Sequence, residues 1–221
     1  MTPLDRLLPA ISNPAAPLLT YYDQHTGERI ELSGTTTANW VAKTSNLLVD
    51  DLDAGPGTRI RIGLPTHWLS FVWLLAAWNV GAVVTDHDAE IGVSGPDLLA
   101  HEPVKLAASL RPLGGPFATP PTGFLDLALE VPGHGDHFEA FDPPTADGLA
   151  LDLAGTRLTH ADLAQQSPPE PSRLLVEPGS TTRDARLIVS AMAGGGSIVV
   201  VASAGVDELS RIAAQEGAVT A

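Results

Sequence analysis

Residues 68–84 read WLSFVWLLAAWNVGAVV. A run this apolar has to be hidden from water on nearly every side, and that demand restricts the fold more than any other feature of the chain. It falls short of the 18 or more apolar residues of a membrane span, and Ser70, Asn79 and Gly81 interrupt it. A buried helix over 66–79 running into a strand over 82–86 accounts for it. Trp68, Trp73 and Trp78 spread around such a helix, which predicts core packing on several sides, an acyl-chain pocket being the alternative.

A helix buried all round needs layers above and below it, and the flanking segments can supply them. LLTYY and RIEL with the Gly27 turn between them predict a hairpin over 17–33. Ser33 is placed to cap a helix over 34–52, which Gly55-Pro56-Gly57 stops. TRIRIGL (58–64), EIGVSG (90–95) and VKLAASL (104–110) predict strands, with a helical turn at PDLLAHE (96–102). The loop 111–123 is rich in Pro and Gly, FLDLALEVPG (124–133) is assigned as helix, and 134–147 as irregular. Beyond it, RLLVE (173–177), a helix over 181–193, IVVVA (198–202), a helix ended by Gly217 and a last strand at 218–221 continue the alternation. Strands alternating with helices of this length predict an α/β fold, a layered and mostly parallel sheet with helices on both faces. The whole of 1–221 is assigned to one domain, with blocks of about 1–110 and 147–221 joined by the Pro/Gly-rich segment.

The 221 residues are 44% hydrophobic and 17% charged, the composition of a folded chain. A net charge of −14 argues against a nucleic-acid binder and against docking on anionic lipid. With no cysteine there is no disulfide, thiolate nucleophile or Cys-ligated zinc. Asp5 and Pro9 break the N-terminal apolar stretch, so no signal peptide is expected and the cytoplasm is the expected location. Abundant Ala, Gly, Pro, Asp and Arg with two lysines fit a GC-rich bacterial genome.

Chemistry is hinted at in residues 147–166, DGLALDLAGTRLTHADLAQQ. A strand, a turn at Gly155 and a helix opened by Thr159, with Asp162 three residues on, make a usual place for an anion. Gly155, Arg157, Thr159 and His160 are the candidate ligand-binding residues there. One glycine, no lysine and a single arginine are nevertheless too little for a phosphate cradle, which needs several consecutive inward N–H groups. AGGGS (193–197) follows a helix and precedes a strand, the reverse of the phosphate-loop order, and is assigned as a helix end and turn. His134, Asp136 and His137 form one ligand-like cluster and Asp86, His87 and Asp88 another, and both are assigned as solvated loops rather than zinc sites. Ser180, Ser190 and His160 provide the residue types of a serine hydrolase, but no G-x-S-x-G elbow is present.

In order, IELSGTTTANWVAKTSNLL, GPGTRIRIGLPTHWLSFVWLLAAWNVGAVVTD, GTRLTHADLAQQ, ARLIVSAMAGGGSIVVVA and DELSRIAAQEGAVTA resemble the N-terminal half of the adenylate-forming enzymes, the AMP-binding acyl-CoA synthetase and ligase superfamily. Leu158-Thr159-His160-Ala161-Asp162-Leu163 matches that family's helix start closely. The Ser/Thr/Gly-rich loop that precedes it in the family and wraps the ATP phosphates is replaced by Asp152–Arg157. The family's magnesium-holding Thr-Glu pair, ribose-binding aspartate and C-terminal lysine would fall beyond Ala221. The resemblance therefore implies a shortened, non-catalytic relative with no catalytic residue, cofactor or metal, retained for binding or for association with a second copy or a protein partner at an uncovered sheet edge. The alternative is a small-molecule enzyme or sensor that binds a nucleotide, acyl group or CoA at a rebuilt site.

Overall fold

Two sheets rather than one carry the chain, with helices between them. The structure, a computed structural model, describes Leu4, Leu7, Leu8, Ile11 and residues 13–221; Asp5 and Pro9, which bear on the N-terminal reading, lie outside them. Strands β1 (Pro17–Asp23) and β2 (Glu28–Ser33) form the expected hairpin. The Ser33 hydroxyl accepts from Thr36 N at 3.1 Å and starts α1 (Gly34–Asn46). The helix predicted to run to residue 52 changes character at its end. Leu47–Asp51 form a π-helical turn, with Leu47 and Leu48 fully buried.

In β3 (Arg59–Gly63) the two isoleucines face inward and the arginines outward. Helix α2 (Trp68–Asn79) and β4 (Val83–Thr85) come from the apolar run. β5 (Ile91–Ser94) and β6 (Val104–Ala107) follow, but PDLLAHE between them is not helical. Leu98 sits there at φ 54°, in the left-handed region, in a turn closed by its N–H to the Gly95 carbonyl. FLDLALEVPG splits into a two-residue strand, β7 (Leu125–Asp126), and a single turn of helix, α3 (Leu127–Glu130), capped by Asp126. After the irregular 134–147 segment come β8 (Leu149–Leu153), β9 (Thr156–Thr159) and α4 (His160–Gln165). The chain continues through β10 (Arg173–Val176), α5 (Thr181–Gly194), β11 (Ser197–Val201), α6 (Val206–Glu216) and β12 (Val219–Thr220).

One sheet has the order β12-β10-β11-β1-β2 and the other β7-β6-β5-β3-β4-β8-β9. Among the described strands only β1–β2 and β8–β9 are antiparallel, each a hairpin. Both sheets draw strands from before and after the Pro/Gly-rich segment. Helix α2 touches β3 and β4 of the seven-stranded sheet and β1 of the other, and α5 touches β8 as well as β10 and β11. That central position is why α2 can be apolar all round: Trp68, Trp73 and Trp78 are 1%, 1% and 2% exposed. The Trp78 indole, which needs a partner when buried, donates to the Ala150 carbonyl at 3.2 Å. Helix α6 lies on the far face of the five-stranded sheet, where Ile212 packs on Tyr22, Leu175, Val199 and Val201. The seven-stranded sheet turns Arg59, Thr85, Asp152 and Arg157 to the face opposite Ile60, Val84 and Leu151. Among the described residues, no helix is long and apolar enough to cross a membrane.

Candidate functional site

The turn between β8 and β9 contains two residues, Ala154 at φ 47° and Gly155 at φ 77°. Two consecutive left-handed residues match the twist of a hairpin, so the strands stay paired up to the turn, Leu153 opposite Thr156 and Asp152 opposite Arg157. A side chain at Gly155 would meet nothing within 4 Å, so glycine is favoured by backbone conformation and not by crowding. The expected direct passage from turn to helix is interrupted by β9. Its signal was the alternation in TRLT, where Leu158 is buried and Arg157 exposed.

The four candidate residues are brought into one hairpin but not into one pocket. Gly155 and Arg157 are exposed. Thr159 is the cap of α4, its hydroxyl accepting from Asp162 N at 3.0 Å while Asp162 accepts from Thr159 N at 3.1 Å. The Asp162 carboxyl is held below its ordinary range by the Thr159 hydroxyl and backbone N–H. His160 is fully buried in the first turn of α4.

What surrounds the turn is acidic. The Ala154 N–H, one of the groups available to an incoming anion, donates to Asp86 Oδ2 at 2.8 Å. Asp86 Oδ1 lies 2.8 Å from His87 Nδ1. The His87 contact and the Ala154 N–H together hold the Asp86 carboxyl below the usual carboxylate range. Two residues before the turn, Asp152 pairs with Arg59 Nη2 at 3.1 Å, and the same Nη2 donates to Thr85 Oγ1 at 2.7 Å. The chain's own carboxylates thus take the Ala154 N–H and the Arg59 guanidinium at this end of the sheet.

The other residues singled out by the sequence are engaged elsewhere. His134 pairs with Asp51 at 3.3 Å and Asp136 with Lys43 at 2.8 Å, pinning the 134–137 loop to α1 and its π-helical turn. Among the described residues, no group of three or more His, Cys, Asp or Glu is placed to hold a metal ion. Ser180 caps α5 and Ser190 donates to the Pro168 carbonyl. In AGGGS, Gly195 ends α5 at φ 75°. A Cβ on Gly194 would lie 2.3 Å from the Glu170 backbone and one on Gly196 2.2 Å from the Ser172 carbonyl, so these glycines admit a close backbone crossing.

Two cavities lie away from the hairpin. The larger, about 620 Å³, runs between α1 and the 136–144 loop, lined by Ala38, Ala42, Phe138, Pro143 and Pro144 with Asn79 at one wall. The smaller, about 70 Å³, opens where β3 and β10 end and α2 and α5 begin, between Thr66, Ser70, Thr181 and Asp184. No sequence pattern announced Asp184, which is only 4% exposed.

No family model matches the chain. A Mycobacterium tuberculosis H37Rv protein, named only by a numbered family, is 44% identical over 145 residues, 60% of this chain and 59% of that protein. Among solved structures, the Brucella canis acyl-CoA synthetase superposes with a TM-score of 0.79 at 13% identity, over 99% of this chain and 46% of that one. The Streptomyces lividans acetoacetyl-CoA synthetase gives 0.79 at 19% identity, over 99% and 41%. The Klebsiella oxytoca NpsA N-terminal subdomain, solved in complex with 3-hydroxybenzoyl-AMSN, gives 0.68 at 14% identity, over 97% and 58%. The chain therefore spans less than two thirds of each of these relatives. The α/β architecture that its sequence implied is in place: the chain has the fold of the N-terminal part of the acyl-CoA synthetases and related adenylation domains.

Proposed function

We propose that this chain is a cytoplasmic bacterial binding or association module that does not form acyl-adenylates through the β8–β9 hairpin. The observation that carries the reading is the two-residue turn Ala154-Gly155, with its Ala154 N–H already bonded to Asp86. A triphosphate needs several consecutive free N–H groups and an unopposed cation, and without them the charge developing in adenylate transfer goes unstabilised. Here Arg59 is paired with Asp152, Arg157 is a single exposed arginine on β9, and Asp86 and Asp152 would repel the phosphates. The strands β2 and β9 stand at sheet edges among the described residues, which supports association with a second copy or a protein partner.

Calorimetric titration of the whole chain with Mg-ATP, AMP, CoA and 3-hydroxybenzoyl-AMSN tests this, alongside acyl-dependent pyrophosphate exchange. No saturable heat with ATP and no exchange are expected. Saturable ATP binding that disappears in Arg157→Ala would overturn the reading. Light scattering across concentration tests association, and a monomer at every concentration would remove the second-copy arm. The 620 Å³ cavity favours a second reading, a small-molecule sensor whose site has moved away from the hairpin.

A further inference from the structure

The small cavity contains a buried carboxylate with one oxygen left without a hydrogen bond among the described residues. Asp184, in the first turn of α5, is nine-tenths buried and lines the cavity wall. Its Oδ2 accepts from the Thr66 hydroxyl at 2.9 Å, while Oδ1 is buried and finds no hydrogen-bond partner among the described residues. An unpaired buried carboxylate oxygen is costly, so this arrangement asks for a donor from outside the chain.

The neighbouring groups narrow what that donor is. The Thr66 hydroxyl is committed twice, donating to Asp184 and accepting from Gly179 N at 3.2 Å. The Ser70 hydroxyl donates to the His67 carbonyl at 2.6 Å and accepts from His67 N at 3.2 Å. Arg183, the nearby positive charge that favours ionised Asp184, makes no hydrogen bond to it: its guanidinium donates to the Glu177 carbonyl at 2.9 Å and the Ala221 carbonyl at 3.2 Å. An anionic ligand would therefore enter beside a carboxylate with little but the Thr181 hydroxyl to receive it. A divalent metal would want six or more oxygens, and the side chains here offer one carboxylate and a few hydroxyls. Ile62, Leu64, Pro65 and Leu74 form apolar walls that suit alkyl carbon. A volume of about 70 Å³ is roughly twice the ~30 Å³ share of one water, room for a nitrogen and one or two carbons. The mouth is open, since Pro65 and Gly179 are exposed. A chain of net charge −14 also concentrates small cations around itself.

We infer that the cavity between the starts of α2 and α5 binds the ammonium head of a small primary amine, with Asp184 as counter-ion and Thr181 at the entrance. This site is separate from the hairpin and does not depend on how ATP behaves there. Burial also raises the Asp184 carboxyl above its ordinary value, so a bound cation would return it toward the ionised form.

The test uses the whole chain and methylammonium and ethylammonium chloride as probes, with sodium, potassium and tetramethylammonium chloride at matched ionic strength. Amide chemical shifts and thermal unfolding are followed together. Saturable shifts at Thr66, Gly179 and Thr181, with half-saturation of order millimolar as befits so few atoms, are expected from the primary amines alone. Asp184→Asn, which keeps the shape and the Thr66 bond, should abolish the response, and Thr181→Val should weaken it several-fold. If Asp184→Asn does not fold, the Thr181→Val result and the failure of tetramethylammonium to compete carry the test. Shifts identical for sodium and methylammonium, or none that saturate, would mean that the cavity holds only water, and the inference would be wrong.

Discussion

Glu216, the last residue of α6, holds the outer face of the five-stranded sheet together. Its side chain is 8% exposed and accepts from Arg173 Nη2 at 2.8 Å and Arg29 Nη2 at 3.1 Å, while the Tyr22 hydroxyl donates to it. Burial opposes its ionisation, but the Tyr22, Arg173 and Arg29 hydrogen bonds outweigh that and bring its carboxyl down from 4.5 to about 2. At about 1.4 kcal/mol per unit, ionised Glu216 stabilises the fold by about 3 kcal/mol at pH 7. The folded form has the lower value, so the stabilisation is complete above the unfolded pKa of 4.5 and is lost as pH falls toward 2. At pH 3.5 the unfolded state is largely protonated and the folded state is not, which leaves about 2 kcal/mol. Glu216→Gln should therefore cost about 3 kcal/mol in urea unfolding at pH 7 and about 2 kcal/mol at pH 3.5. A cost under about 0.5 kcal/mol at pH 7, or one that does not change between the two pH values, would refute the reasoning.

Gly155→Ala should destabilise by about 1 kcal/mol because φ 77° disfavours a Cβ, while Gly155→Asn should be nearly neutral, and denaturant midpoints separate the two. Asp86→Ala should cost about 1 kcal/mol by unpairing the Ala154 N–H, and it should still not confer ATP binding in calorimetry. Gly196→Ala, which puts a Cβ 2.2 Å from the Ser172 carbonyl, should cost about 2 kcal/mol or more and lower the melting temperature. His67, buried against Tyr21, has its pKa brought from 6.5 to about 4 by desolvation, so the unfolded chain binds the proton first and stability falls as pH drops from 6.5 to 4; an imidazole titrating near 6.5 by NMR would contradict this.

The sequence disclosed those features that neighbouring residues decide. The Gly27 hairpin, the Ser33 cap and the Thr159–Asp162 capping box could be read because turn chemistry and capping act within a few positions. The apolar run by itself implies the depth of α2. What escaped was decided at a distance. Nothing within 90–107 says that β5 and β6 are joined without a helix, since parallel pairing fixes the strands and the crossover has only to connect them. The division into two sheets rests on β1 choosing β11, far along the chain, as its neighbour. At the candidate site, the turn at Gly155 could be read because it too is local. The Asp86 contact and the Asp184 cavity join segments with no local signature.

The β1–β11 pairing sets a timetable for the molecule. Leu19 lies beside Ile198 and Tyr22 beside Val201, so β1 waits for a strand that is made about 180 residues after it. At about 5–20 residues per second that wait lasts roughly 9 to 36 seconds, during which Leu18, Tyr21 and Ile30 have no sheet to settle on. Closing so long a loop is slow and leaves sticky strands uncovered meanwhile. Cells that make this chain should need a holding chaperone on the β1–β2 hairpin, and a copy permuted to bring residues 197–201 ahead of 17–23 should mature faster.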